Sequence, residues 1–263
     1  MRDLLLGAIV AGAIAFLAWR AHALTPSGAL AAMAVGAFTY ASGTFGFTLL
    51  LLAFFVPSVA LSRMGKARKR ALVDIGKAGP RDAAQVLANG GVATLCAIAF
   101  AITHDSRWAW AFAGAYAAAT ADTWATEIGT LAQQQPRSIF TLRPIAPGLS
   151  GGVTLPGTLA EIAGAAWIAL VAAPSLALSA GEVTVRAVFG TLLAGVIGST
   201  ADSVLGASAQ ELRRCEACGR TCETDPHVCG AATQLVRGIA GVSNDLVNLF
   251  ATVTGAAVAF VLA

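Results

Sequence analysis

The stretch WAWAFAGAYAAATADTWATEIGTL, residues 108–131, decides the fold. At about 1.5 Å per residue, a helix of this length crosses the roughly 30 Å hydrocarbon core of a bilayer. Its first half is alanine interleaved with aromatic rings and carries no charge. Its second half sets Asp122 and Glu127 among threonines. Acids are costly in hydrocarbon, so an acid inside a span is a functional candidate by default.

Stretches of the same character lie on both sides. They run over 4–19, 24–42, 46–61, 84–103, 157–180, 185–206 and 239–262. Of the 263 residues, 57% are hydrophobic and only 12% charged, against about 25% charge in a soluble domain. Mean hydropathy is +0.73. An ordinary soluble enzyme and a disordered chain are both excluded. A net charge of +3 is too small for a nucleic-acid-binding face. Alternating aromatic strands, which a β-barrel needs, are lacking. The expected fold is therefore all-α, a polytopic transmembrane helix bundle of about six to eight spans with eight favoured. Residues 1–263 form a single integral-membrane domain. It carries a basic cytoplasmic loop at 62–82 and a cytoplasmic Cys/His loop at 207–236.

Basic residues set the orientation. With eight spans and loop 62–82 in the cytoplasm, 14 of the 17 Lys and Arg residues fall on one side. The predicted location is a bacterial-type inner or plasma membrane, with the N-terminus outside and the site facing the cytoplasm.

Three polar constellations lie near that cytoplasmic edge. In the first, Asp122, Thr123, Thr126, Glu127 and Thr130 share a helical arc of roughly 140°. In the second, Asp202 shares a face with Ser199, Ser203, Gly206 and Gln210. In the third, Asn244, Asp245, Asn248 and Thr252 line one face. Each reads either as a polar seam between helices or as a site. Thr-Ala-Asp-Thr at 120–123 and Thr-Ala-Asp-Ser at 200–203 are near copies. A Gly-x-Ser start follows each, at 148–150 and 241–243. An internal duplication is consistent with this, and transport folds often have one.

The basic loop reads either as topology and attraction to anionic lipid, or as a clamp for phosphates. Asn89-Gly90-Gly91 and Pro147-Gly148-Leu149-Ser150-Gly151-Gly152 are expected to open helices with bare amides, which bind anions. Four of the five cysteines crowd one loop with a histidine. Cys215-x-x-Cys218 with His227-x-Cys229 suits tetrahedral zinc, leaving Cys222 spare; free thiols are the alternative.

Carboxylates at a basic membrane edge suit Mg²⁺ and phosphoryl transfer. The expected Mg²⁺ ligands are Asp122, Glu127, Asp202 and Asp245. Arg63, Lys66 and Arg81 would hold a triphosphate. Asn89, Asn244 and Asn248 would orient phosphate oxygens, beside Ser150, Gly151 and Gly152.

These tokens together resemble the integral-membrane family that contains plant phytyl-phosphate kinase and mammalian transmembrane protein 19. The matching pieces are Ser62-Arg-x-Gly-Lys66, Arg81-Asp82-x-x-Gln85-Val-x-Ala-Asn89-Gly90 and Asp122-Thr-Trp-Ala-Thr-Glu127-Ile-Gly129. They continue with Pro147-Gly-x-Ser-Gly-Gly-Val153, Asp202-Ser-x-x-Gly206-Ala, the Cys215 to Cys229 loop and Asn244-Asp245-x-Val-Asn248. Leu149 departs from the Thr or Asn usual there, and Cys222 is additional. The resemblance implies phosphoryl transfer from CTP or another nucleoside triphosphate to a prenyl monophosphate, giving the diphosphate. The resemblance implies a nucleoside triphosphate as donor; the residues themselves call for Mg²⁺ and, in the cysteine loop, structural Zn²⁺. Implied partners are a prenyl-phosphate lipid, a nucleotide and membrane lipid, with a homodimer allowed and no nucleic acid. A transporter or flippase of phosphorylated lipid, and a CTP-dependent lipid cytidylyltransferase, are the alternatives.

Overall fold

The computed structural model describes residues 2–65, 79–181 and 183–263. Lys66 and most of the basic loop lie outside them. Seven helices are described, α1 Arg2–Arg20, α2 Pro26–Arg63, α3 Ala83–Thr103, α4 Ser106–Leu131, α5 Leu155–Ser179, α6 Val185–Ser208 and α7 Asn244–Leu262. All but α4 are long and apolar enough to cross a membrane.

Helix α2 is two spans. A straight helix of 38 residues would part its ends by about 57 Å. Instead, the Arg63 guanidinium at its end donates to the Ala21 carbonyl just before its start, at 2.9 Å. The chain reverses at Thr44, whose φ of 54° and ψ of −139° are non-helical. Limbs 26–43 and 45–63 therefore run antiparallel, and eight helical segments result, as the sequence pattern favours.

Helix α4 is the axis. It packs against α2, α3, α5, α6 and α7, and every residue from Ala109 to Ala121 is buried. Small residues permit this. Gly164 of α5 meets the α4 backbone at Thr120 and Ala121, and Gly255 of α7 meets it at Gly114. A Cβ at either position would press on backbone, so glycine sets the helix spacing. Leu95, Leu170 and Leu178 point outward and are exposed, as a lipid-facing surface requires.

Side chains cap the helices at one end of the bundle, which holds Arg63 and Arg81 and is here the Arg81 end. Asp82 and Gln85 form a reciprocal capping box on α3. Thr25, Thr154 and Ser243 accept from the first-turn amides of α2, α5 and α7. Helix α7 begins at Asn244 rather than 239, because Gly238 and Gly241 adopt positive φ just before it.

Two small sheets close the same end. Between α4 and α5, β1 Arg137–Ser138 pairs with β2 Gly152–Val153. Between α6 and α7, β3 Leu212–Cys215 lies between β4 Thr221–Cys222 and β5 Thr233–Arg237. Arg213 fastens the second sheet by ion pairs to Glu211 at 2.8 Å and Asp225 at 3.1 Å. Both halves thus run from an Asp-bearing helix through a sheet to a hydroxyl-capped helix.

Candidate functional site

Helix α4 carries Asp122 about a third of its length from the Arg81 end. Helix α5 enters beside it, and the contact of Gly129 with Thr154 and Gly157 fixes their register. That register brings Glu161 of α5 into the electrostatic field of Asp122. Asp202 of α6 feels both Asp122 and Glu223. Four carboxylates from α4, α5, α6 and the β4–β5 loop are thus linked pairwise through their charges.

Each acid has a different hold. Glu161 accepts from the Thr200 hydroxyl at 3.2 Å. Glu223 accepts from the Ser150 N–H at 3.2 Å and from Gln210 Nε2 at 2.7 Å. Burial pushes the Glu223 carboxyl above its usual range, while Ser150, Arg237 and Gln210 oppose the shift. Asp202 Oδ2 is buried with no hydrogen-bond partner among the described residues. A buried carboxylate oxygen left so is costly, and a hard divalent cation with oxygen ligands removes that cost. The Asp202 carboxylate therefore fits such a cation.

The expected site residues divide. Asp122 and Asp202 lie within electrostatic reach of each other. Glu127 turns instead toward Arg81, whose charge it supports. Asp245 lies in a shallow cleft against Ala84, Leu87 and Ala88 of α3, with Asn244 exposed and Asn248 half-buried beside it. Arg63 serves the Ala21 carbonyl. Lys66 lies outside the described residues. Cys215, Cys218, His227 and Cys229 bring four ligand atoms within 4.8 Å of one another.

Two expected anion-binding turns are built otherwise. Asn89 lies inside α3, whose first residue is Ala83, so the amides of Gly90 and Gly91 belong to the helix ladder. Ser150 gives its N–H to Glu223, and Gly152 gives its own to Leu149 O at 3.2 Å. Gly151, with φ of 82°, packs on Ala207 where a Cβ would collide. This loop is a strut that joins α6 to Glu223.

A second feature lies across α4. A cavity of about 90 Å³ runs between α1, both limbs of α2, α3 and α4. Its walls are apolar, including Val35, Leu51 and Phe54, and its polar lining includes Arg81, Gln85 and Asn89. Arg81 is pinned by its backbone, donating to Ala23 O and accepting from the Thr25 N–H, both at 3.0 Å. Burial pushes its guanidinium below the ordinary value, and Glu127 acts against that. The Tyr116 hydroxyl lines the cavity and has no hydrogen-bond partner among the described residues.

Glu161, Glu223, Arg237 and Tyr116 were not expected from sequence. The cost of an acid inside a span, which singles out Asp122, applies equally to Glu161. Nothing local marks Glu223, because only the fold carries it back to α6.

These features define a polytopic helical membrane protein with a buried acidic centre near one membrane face. The family described as integral membrane protein DUF92 matches residues 9–256, and the chain belongs to it. It is 33% identical to Protein PGR of Arabidopsis thaliana over 228 residues, 79% of each chain. It is 37% identical to an uncharacterised membrane protein of Methanocaldococcus jannaschii over 166 residues, 62% of this chain and 65% of that one. An uncharacterised membrane protein of Synechocystis is 30% identical over 192 residues, 71% of this chain and 72% of that one. No solved structure gives a significant match.

Proposed function

We propose that the protein is a membrane phosphotransferase that converts a prenyl monophosphate to the diphosphate, with CTP or another nucleoside triphosphate as donor and Mg²⁺ as cofactor. One observation carries this reading: α4 lies between an apolar cavity, polar at Arg81 and Asn89, and a set of acids linked through their charges to Asp122 and Asp202. An amphiphile with an anionic head fits the first, and a cation-bound polyphosphate fits the second.

In the reaction, a terminal oxygen of the lipid phosphate attacks the γ-phosphorus. The new P–O bond forms as the bond to the nucleoside diphosphate breaks, and the diphosphate leaves with the electron pair. The acceptor is already ionised near neutrality, so no strong general base is required. Magnesium, when bound, neutralises charge on the transferring group. Asp122, Glu161, Asp202 and Glu223 would hold it, directly or through water. Arg81 presents a fork to phosphate oxygens, and Glu127 keeps that fork oriented. Apolar walls accept the tail. The density of basic residues at this end favours a cytoplasmic face in an inner or plasma membrane.

The test uses purified protein in detergent with Mg²⁺, labelled CTP and geranylgeranyl phosphate. A lipid diphosphate, lost in Asp122→Asn, is the expected result. Release of pyrophosphate with a CDP-lipid would assign a cytidylyltransferase. Lipid-phosphate movement in liposomes without nucleotide turnover would assign a transporter.

A further inference from the structure

The excursion between α6 and α7 is too small to have an apolar core of its own. It is nevertheless built into an ordered three-stranded sheet, with Cys215 and Cys222 buried. Cys215 Sγ lies 3.5 Å from Cys229 Sγ, and His227 Nδ1 lies 3.6 Å from Cys218 Sγ and 3.0 Å from Cys229 Sγ. A disulfide needs about 2.05 Å between sulfurs, so Cys215 and Cys229 are not so joined. Zinc at about 2.3 Å from sulfur and 2.0 Å from nitrogen makes a tetrahedron with edges of about 3.5–3.8 Å. Two of the three separations lie in or next to that range, and all four ligand atoms stay within 4.8 Å. Cys222 is turned away, its thiol directed to Thr224 O at 3.4 Å.

The chain between Cys218 and His227 contains Glu223. Its carboxylate leaves the excursion, takes the Ser150 N–H and Gln210 Nε2, and stands beside Asp202. Ser150 belongs to the α4–α5 connection and Gln210 follows α6, which contacts that connection through Gly206 and Ser150. Whatever orders the 218–227 segment therefore fixes an acid of the carboxylate centre.

We propose that Cys215, Cys218, His227 and Cys229 hold one zinc ion, through three thiolates and His227 Nδ1, and that this knot holds Glu223 against Ser150. The three thiol protons pass to solvent on binding. No zinc ligand position is open, so the ion is structural. The proposal stands apart from the phosphotransferase reading.

Full-length protein purified in detergent, reduced and without chelator, is expected to retain about one zinc per chain by elemental analysis. Cys222→Ala retains it, whereas Cys218→Ser and His227→Ala lose most of it. Cobalt replacing zinc gives thiolate charge-transfer absorption and the visible bands of a tetrahedral site. Only trace zinc in the wild type, together with no cobalt–thiolate absorption, overturns the site. Zinc loss equal in Cys222→Ala and Cys218→Ser overturns the ligand assignment. The link to Glu223 is read by hydrogen exchange over residues 147–153. Exchange there speeds up after zinc removal and to a similar extent in Glu223→Gln. Unchanged exchange on zinc removal overturns the link, whatever the protein catalyses.

Discussion

The Arg63 guanidinium donates to the Ala21 carbonyl at 2.9 Å, across 42 residues of chain. This single bond returns the end of α2 to its beginning and makes Thr44 the far tip of a hairpin. A cysteine at Thr44 should therefore react with a membrane-impermeant reagent from the side opposite to one at Ala21. Both positions are exposed. Labelling in sealed vesicles, read site by site by mass spectrometry, checks this. Labelling of both from one side would refute the hairpin.

Asp122 and Glu127 share one helix but not one task. Asp122→Asn removes a member of the carboxylate centre and should cut turnover by at least about a hundredfold. Glu127→Gln removes a charge that supports Arg81 and should act mainly on KM for the lipid phosphate, by about tenfold. Steady-state kinetics on both variants separate the roles, and equal loss of kcat in the two would not fit.

Glu161 tests the acids more sharply, since it is not among the residues that line the cavity. Glu161→Gln keeps the shape and can still accept from the Thr200 hydroxyl. Manganese binding, followed by electron paramagnetic resonance, should weaken by at least about tenfold, while zinc content stays at the wild-type level.

Arg81 owes its position to two backbone hydrogen bonds that any side chain would keep. Arg81→Lys should thus fold, retain its thermal midpoint within a few degrees, and lose the bidentate fork. KM for the phosphorylated lipid should rise about tenfold or more with little change for a nucleotide-only hydrolysis.

Gly164 faces the α4 backbone at Thr120 and Ala121. Gly164→Leu should part α4 from α5 and destabilise the bundle by about 1–3 kcal/mol, seen as a lower thermal midpoint in detergent. Gly181, with open space where a Cβ would go, should tolerate alanine better, although its φ of 90° still imposes some strain.

Much of the bundle is legible in residue order, and the reasons are local. A break falls between 42 and 46 because Gly43 and Gly46 flank Thr44, and the structure reverses there. The pairing of Asp122 with Asp202 is foreshadowed by their near-identical settings, Thr-Ala-Asp-Thr and Thr-Ala-Asp-Ser. The glycine-rich turns misled for a physical reason. Glycine before a span permits a bare, anion-binding amide, but it equally permits tight packing. Gly151 is used in the second way against Ala207. Asp82 and Gln85 stand in a matching motif and Ser243 in a Gly-x-Ser helix start, and each caps a helix. Glu223 is invisible because its neighbour Asp202 is reached only through the folded sheet.

Helix α4 is enclosed on all sides over Ala109–Ala121 and touches little lipid. Its composition there answers to its neighbours and not to hydrocarbon, and Asp122 and Glu127 follow that stretch toward the Arg81 end. The consequence falls on biogenesis. A segment bearing Asp122 and Glu127 partitions poorly from the translocon by itself, and its insertion depends on the more apolar α3 before it and α5 after it. Order of synthesis thus becomes part of the specification: the helix at the centre of the finished bundle is the one least able to enter the membrane alone.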